Sequence, residues 1–292
     1  MPARVWTALA GLITVLLVAV VGLDQWQARR GEASLFGLPW RASPPPAASA
    51  PVLPRLKDLS PPPGPPSPGR TGALRIAVIV DDLGARRDVF DGLREIRRPL
   101  TVAVLPGLPL SEWTAREATQ SGMEVLLDLP MEPYRYPEVD PGPGALLMAM
   151  TSHELQTKMG AHLASVPGAV GVTNHMGSRM TEDRARMRTV LDVMAGRRLF
   201  LVDGLTSNLS GAYDEAKAQG LRAGRRQVTV DHAAGEAGDR VRWDEVAWWA
   251  EKRGEVIVIA HGHPLTARLL REYVPRWEAR GMRLVPVSQL AR

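Results

Sequence analysis

The sequence predicts an α/β domain, a deformed parallel barrel of seven or eight βα units, and three observations carry this. Strand-like and helix-like segments alternate from Leu74 onward. The first strand segment, LRIAVIV, is rich in β-branched residues and lacks helical periodicity. It runs straight into two carboxylates and a glycine, Asp81-Asp82-Leu83-Gly84. A continuous apolar run of this kind is a strand buried on both faces, the type found in parallel sheets covered by helices. In such folds chemistry collects where the strands end. Neighbouring strand residues point to opposite faces, so Asp81 and Asp82 share a site only if the chain turns there, which Gly84 permits. The plain alternative for either carboxylate is a helix N-cap.

Taken in order, the strand signals are LRIAVIV (74–80), LTVAVLP (100–106), EVLLDLP (124–130), AVGVTNH (169–175), LFLVDG (199–204), QVTVD (227–231), EVIVIAH (255–261) and RLVPV (283–287). The amphipathic segments between them are 86–96, 110–121, 152–164, 181–195, 209–218, 239–252 and 266–279. Thr181-Glu182-Asp183 supplies a cap and acidic residues at one helix start, and Gly220, Gly254 and Gly281 follow helix ends. The number of βα units in a segment of this length favours one barrel, with a doubly wound open sheet as the competing arrangement. No GxGxxG or P-loop pattern follows the first strand, which argues against a nucleotide cofactor.

Two segments precede this domain. Val5 to Leu23 contains no charged residue, and as a helix it would span roughly 28 Å, about the hydrocarbon thickness of a bilayer. It is read as an uncleaved single-pass anchor, with a cleaved signal peptide as the competing reading. The main domain is then expected outside the cytoplasm, in the periplasm of an inner-membrane protein. Ser43 to Gly72 carries eleven prolines and few large apolar residues, the composition of a semi-rigid spacer. The expected organisation is an anchor over 1–30, a linker over 31–73 and a folded domain over 74–292.

Charge and cysteine content narrow the function classes. The chain has no cysteine, which excludes thiol nucleophiles, disulfides and iron–sulfur ligation. Of the net +5, residues 1–73 hold +4, from seven basic against three acidic residues. The remainder is almost neutral, so nucleic acid is not an expected partner.

The strand ends collect a short set of reactive side chains. They are Asp81 and Asp82; Asp128 with Glu132; Asn174-His175-Met176-Gly177-Ser178-Arg179; Asp203 with Thr206 and Ser207; Asp231-His232; and His261-Gly262-His263. Four of the six histidines fall there, whereas His153 and His162 lie in a predicted helix. Mixed His and Asp donors are material for a divalent metal site that acidifies water and polarises an acyl oxygen. Any one of these histidines alone is as readily a structural or capping residue. His261 and His263 share a face if the strand continues. No HExxH or HxxxH spacing occurs, and Ser178 lacks a GxSxG elbow. The turn at Gly177-Ser178-Arg179, ahead of a helix, offers backbone N–H groups and a cation to an anion.

At these residues the sequence resembles the divergent polysaccharide deacetylase family, distant relatives of the NodB-like carbohydrate esterases. The matching segments are AVIVDDLG, TVAVLP, EVLLDLPMEP with PGPGALL, GAVGVTNHMGSRMT, LFLVDGLTS, IAHGHPLT and LVPVSQL, in order over about residues 74–290. The resemblance implies a NodB-like deformed (β/α) barrel, an envelope location and a metal-dependent esterase ancestry, with Zn²⁺ the expected ion. It implies Asp81 as catalytic base, Asp82 as metal ligand, and His175 and His263 as the other metal ligands. His261 aligns with the leaving-group histidine, so the acid is His261 or His263. Asp128 stands near the position of one of the two histidines that the esterases place after the third strand. Asp128, Ser178, Arg179 and Asp203 are the expected substrate contacts.

The reading is a metal-dependent hydrolase acting on an acetylated envelope polysaccharide or peptidoglycan. Two alternatives stand beside it: a non-catalytic envelope protein that binds glycan or a partner through the same rim, and a metal-dependent phosphoesterase.

Overall fold

The computed structural model describes residues 73–231 and 235–292. The expected membrane helix, almost all of the proline-rich linker and His232 lie outside the described residues. Among the described residues no helix is long and apolar enough to cross a membrane.

One parallel sheet organises the domain. Its strands are β1 (Leu74–Leu83), β2 (Thr101–Val104), β3 (Glu124–Met131), β4 (Ala169–Met176), β5 (Phe200–Asp203), β6 (Ala223–Arg225), β7 (Val228–Thr229), β8 (Glu255–His261) and β9 (Met282–Leu284). The hydrogen-bonded order is β6-β5-β4-β3-β2-β1-β8-β7, with β9 alongside the start of β1. The helices α1 (Arg87–Arg94), α2 (Ser111–Gln120), α3 (Ser152–Ser165), α4 (Arg184–Ala195), α5 (Ala212–Ala218), α6 (Glu236–Arg253) and α7 (Pro264–Ala279) occupy the crossovers.

Alternation along the strands separates two cores. Ile76, Val78 and Val80 of β1 face the helices and join the larger apolar cluster, with Trp243 of α6 and Trp277 of α7. Ala77 and Ile79 point the other way, into a smaller cluster with Ala103, Leu126, Phe200, Val202, Ile257 and Ile259. Val287, Leu290 and Ala291 of the C-terminal segment complete that inner cluster. Helices therefore cover one face, and the other curls around a packed lumen. This rules out the doubly wound alternative, which needs helices on both faces.

The deformed barrel expected from the sequence is a curled half-barrel. Among the described residues, β6 pairs with β5 and β7 pairs with β8, and no ladder joins β6 to β7. The two are successive pieces of one extended stretch, broken at Arg226-Gln227, so chain connectivity bridges the gap that hydrogen bonds leave. The single strand expected at 227–231 is thus a short β7, with β6 preceding it. Two-residue and three-residue strands leave too short an alternation to stand out in a sequence.

Helix ends follow local chemistry. Thr151 and Glu154 form a reciprocal capping box at α3. Asp183 caps α4 by accepting the Arg186 N–H at 2.9 Å, and a 3₁₀ turn, Met180–Glu182, precedes it. The expected helix at 181–195 accordingly begins three residues later.

The inner cluster makes a testable demand. Phe200 is fully buried there. Phe200→Ala should lower unfolding free energy by about 3–5 kcal/mol, read by urea denaturation; a loss below about 1 kcal/mol would contradict a tightly packed lumen.

Candidate active site

The site is built on a reversal at the end of β1. Asp82 has φ of +58°, a left-handed conformation that Asp tolerates better than most residues, and the register with β2 shifts between Val80 and Leu83. The turn lets Asp81 and Asp82 serve one site, as the sequence requires. Asp128 lies one residue past the last β2–β3 pair, where β2 has ended. Its Oδ2 accepts the Asp82 N–H at 3.0 Å, and its side chain is fully buried. From β4, His175 places Nδ1 2.7 Å from Asp82 Oδ1, an ion-pair contact without an aligned hydrogen bond, and 4.0 Å from Asp128 Oδ2.

On the other side of β1, Asp81 is in register with His261 of β8. Close strand approach is required here. The Gly262 N–H donates to the Asp81 carbonyl at 2.9 Å, and a Cβ on Gly262 would sit 2.8 Å from that oxygen. His261 is oriented by Asp231: Nδ1 contacts Oδ1 at 2.8 Å, and the His261 N–H donates to Oδ2 at 2.5 Å.

Two overlapping groups result, Asp82–Asp128–His175 and Asp81–Asp82–His261. In each, one donor atom per residue lies within 4.8 Å of the others. Three carboxylates and two imidazoles thus share a small volume, and their protonation follows from it. Burial and the Asp128 charge push the Asp81 carboxyl well above its usual range, against the pull of His261. Burial and Asp82 raise Asp128 to about 6, although His175 opposes this. Burial also works against an ionised Asp82, yet its contact with His175 and the charge of His261 hold it below the ordinary value. Burial disfavours a charged His175, but Asp82 and Asp128 outweigh it and the pKa rises. The Asp231 contact dominates His261 and lifts it to about 10, with Asp81 adding to the effect against burial.

These donors fit a divalent cation. Asp81 Oδ1 and Asp128 Oδ1 are buried without a hydrogen-bond partner, an expensive condition that a cation relieves. Carboxylate oxygens with one imidazole suit several divalent metals.

The other expected site residues are distributed unevenly. His263 stands outside both groups: it is exposed and caps α7, with Nδ1 accepting the Leu265 N–H at 3.2 Å. Pro264 opens the helix immediately after it, which turns the chain away from the line of β8. Asp128, expected to contact substrate, sits instead within the metal-type group. Asp203 is fully buried and accepts from Leu205 N–H, Ser210 hydroxyl and Tyr213 N–H. Those bonds organise the β5–α5 loop around the Asp203 carboxylate. Ser178 Oγ accepts the Tyr134 N–H at 3.1 Å. Arg179 is 51% exposed and donates to buried Glu132 at 2.7 Å, so both remain on the rim.

Two contributors have no role assigned by the sequence. Asp231 is visible there only as a strand-end carboxylate, thirty positions before the histidine it orients. Arg226 donates to the Gly204 and Leu205 carbonyls at 2.6 and 2.8 Å. Burial lowers its pKa, and its charge faces Asp203 and Asp81. An arginine in a two-residue break between short strands carries no sequence signal.

The Asp231–His261 pair sets a pH dependence in the metal-free chain. The folded pKa of His261 is about 10, above the unfolded value of about 6.5. Its stabilisation is therefore fully present below about pH 6.5 and is lost as pH rises through about 10. Asp231→Asn should bring the His261 titration, followed by NMR, down toward the ordinary histidine value and flatten that loss. An unchanged titration would remove Asp231 as the cause.

A family model described as "Divergent polysaccharide deacetylase" matches residues 78–291. The uncharacterized protein YibQ of Escherichia coli (strain K12) is 32% identical over 202 residues, covering 69% of this chain and 63% of that protein. The chain thus spans less than two thirds of that relative. An uncharacterized protein of Haemophilus influenzae is 27% identical over 197 residues, covering 68% and 70% respectively. Among solved structures, uncharacterized protein ATU2773 from Agrobacterium tumefaciens C58 superposes with a TM-score of 0.71 at 25% identity, over 77% of this chain and 92% of that one. With the family model matched from the middle of β1 to the C-terminal segment, the chain belongs to the divergent polysaccharide deacetylase family.

Proposed function

We propose that this protein is a metal-dependent deacetylase of an acetylated envelope glycan, working outside the cytoplasm from a membrane anchor. One observation carries the catalytic part. Two groups whose donor atoms lie close enough to hold a cation, Asp82–Asp128–His175 and Asp81–Asp82–His261, share Asp82.

Asp82, Asp128 and His175 would hold the ion. When bound, a divalent cation at this place supplies positive charge that acidifies water and polarises an acyl oxygen. Asp81, buried and with raised proton affinity, is placed to take a proton from the attacking water. The water oxygen adds to the acetyl carbon, and the bond from that carbon to the sugar nitrogen or oxygen breaks. His261 is kept protonated by Asp231 and is placed to give its proton to the leaving atom. Nδ1 carries the Asp231 contact, so delivery falls to Nε2. Acetate and the free amino or hydroxyl sugar are the products. The polysaccharide substrate class is supported by family membership.

The test uses the purified chain with Zn²⁺, Mn²⁺ or Co²⁺ and acetylated chito-oligosaccharides. Metal analysis should find uptake by the unmodified protein that is lost in Asp82→Ala and His175→Ala. A metal at a hundredfold excess over its Kd should stabilise the fold by about 2.7 kcal/mol. Asp81→Asn and His261→Ala should keep the metal and lose roughly 10²–10⁴-fold in acetate release. Absence of both metal uptake and acetate release would overturn the proposal. Glycan retention that survives Asp81→Asn, with no acetate released by the unmodified protein, would assign the rim to binding alone.

A further inference from the structure

Beside the candidate site, the rim carries an exposed aromatic ring that is fixed in place. Tyr134 lies three residues beyond β3 and is 56% exposed. Its backbone N–H donates to Ser178 Oγ, in the loop after β4, at 3.1 Å. Its hydroxyl donates to the Glu182 carboxylate in the following 3₁₀ turn. The other Glu182 oxygen accepts the Ser207 hydroxyl, from the loop after β5. Ser207 Oγ in turn accepts the N–H of Leu209, which is 73% exposed. Three successive strand exits, the ones that also present Asp128 and His175, are thus tied together around one tyrosine.

A solvent-exposed tyrosine ordinarily rotates freely, and ordering it on binding is costly. Here both ends of the residue are anchored and the ring remains open to solvent. A rigid ring offers a large contact area at low entropic cost, while polar groups at its edge serve hydrogen-bonding partners. A pyranose matches this chemistry: its C–H face lies on an aromatic ring, and its equatorial hydroxyls point outward to groups such as Glu182 and Ser207. Its backbone anchor, Ser178, follows His175 by three positions.

We infer that Tyr134 is the stacking platform of a sugar subsite beside the reacting residue, one that a single acetylated sugar leaves unused. This rests on the deacetylase reading of the adjacent group.

The experiment compares binding of β-1,4-linked N-acetylglucosamine tetramer and of the monosaccharide by calorimetry, together with acetate release from the tetramer and from a small aryl acetate. Tyr134→Leu, which removes the ring, should weaken the tetramer by about tenfold or more. Tyr134→Phe, which keeps the ring and loses the hydroxyl anchor, should weaken the tetramer by only about threefold. In the unmodified chain the Tyr134 ring protons should shift on adding tetramer and stay still with monosaccharide, a readout that needs no variant. The inference is overturned if the ring protons do not respond to tetramer, or if a folded Tyr134→Leu binds it as the unmodified protein does. Acetate release with tetramer binding indifferent to Tyr134 would leave deacetylation standing without this subsite. Ring-dependent tetramer binding with no acetate release from any substrate would leave the subsite standing without deacetylation.

Discussion

The hydrogen bond from the Asp82 N–H to Asp128 is the constraint on which the site depends. A strand that kept its alternation would send Asp81 and Asp82 to opposite faces. The left-handed turn at Asp82 breaks that alternation, and a buried carboxylate from a strand two places away holds it broken. The same bond gives Asp128 one of its few compensations for complete burial. Backbone strain and carboxylate desolvation, each unfavourable alone, are tied into one interaction, as is common where a site needs preorganised groups.

Electrostatics then sorts otherwise similar residues. Asp81, Asp82 and Asp128 are chemically identical, yet Asp82 is held low by His175 whereas burial raises the other two. His175 and His261 are both raised, His261 more so because Asp231 faces it directly. One end of the group therefore retains anionic oxygen beside an imidazole, and the other retains a proton. That polarity sets groups of opposite proton affinity side by side in one small volume.

The sequence exposed long-period features better than short ones. Strands β1, β3, β4 and β8 run seven to ten residues, and their apolar runs identify β3, β4 and β8 to within one residue and β1 in all but its last three. The carboxylates and histidines at their ends follow from that placement, which is why Asp81, Asp82, Asp128, His175 and His261 were legible. The closing edge was not, because β6 and β7 hold only three and two residues. His263 matched a motif and stood two residues from His261, but alternation ends at His261 and a proline-led helix begins at 264. Asp203 occupied the right strand end, but nothing in the local sequence records that Ser210 and two backbone N–H groups fill its oxygens. Position along a strand is encoded locally; partners supplied by a loop are not.

The pairing of β1 has a consequence for how the chain is made. This first strand takes its full-length neighbour from β8, and Arg75 meets Glu255 across 180 residues of sequence. At roughly 5–20 residues per second, a nascent β1 waits on the order of 10–40 s before that neighbour exists. Throughout the interval an apolar strand with an open edge is available to any passing segment. The exposure of this edge is therefore greatest during synthesis, in the stretch that later carries Asp81 and Asp82.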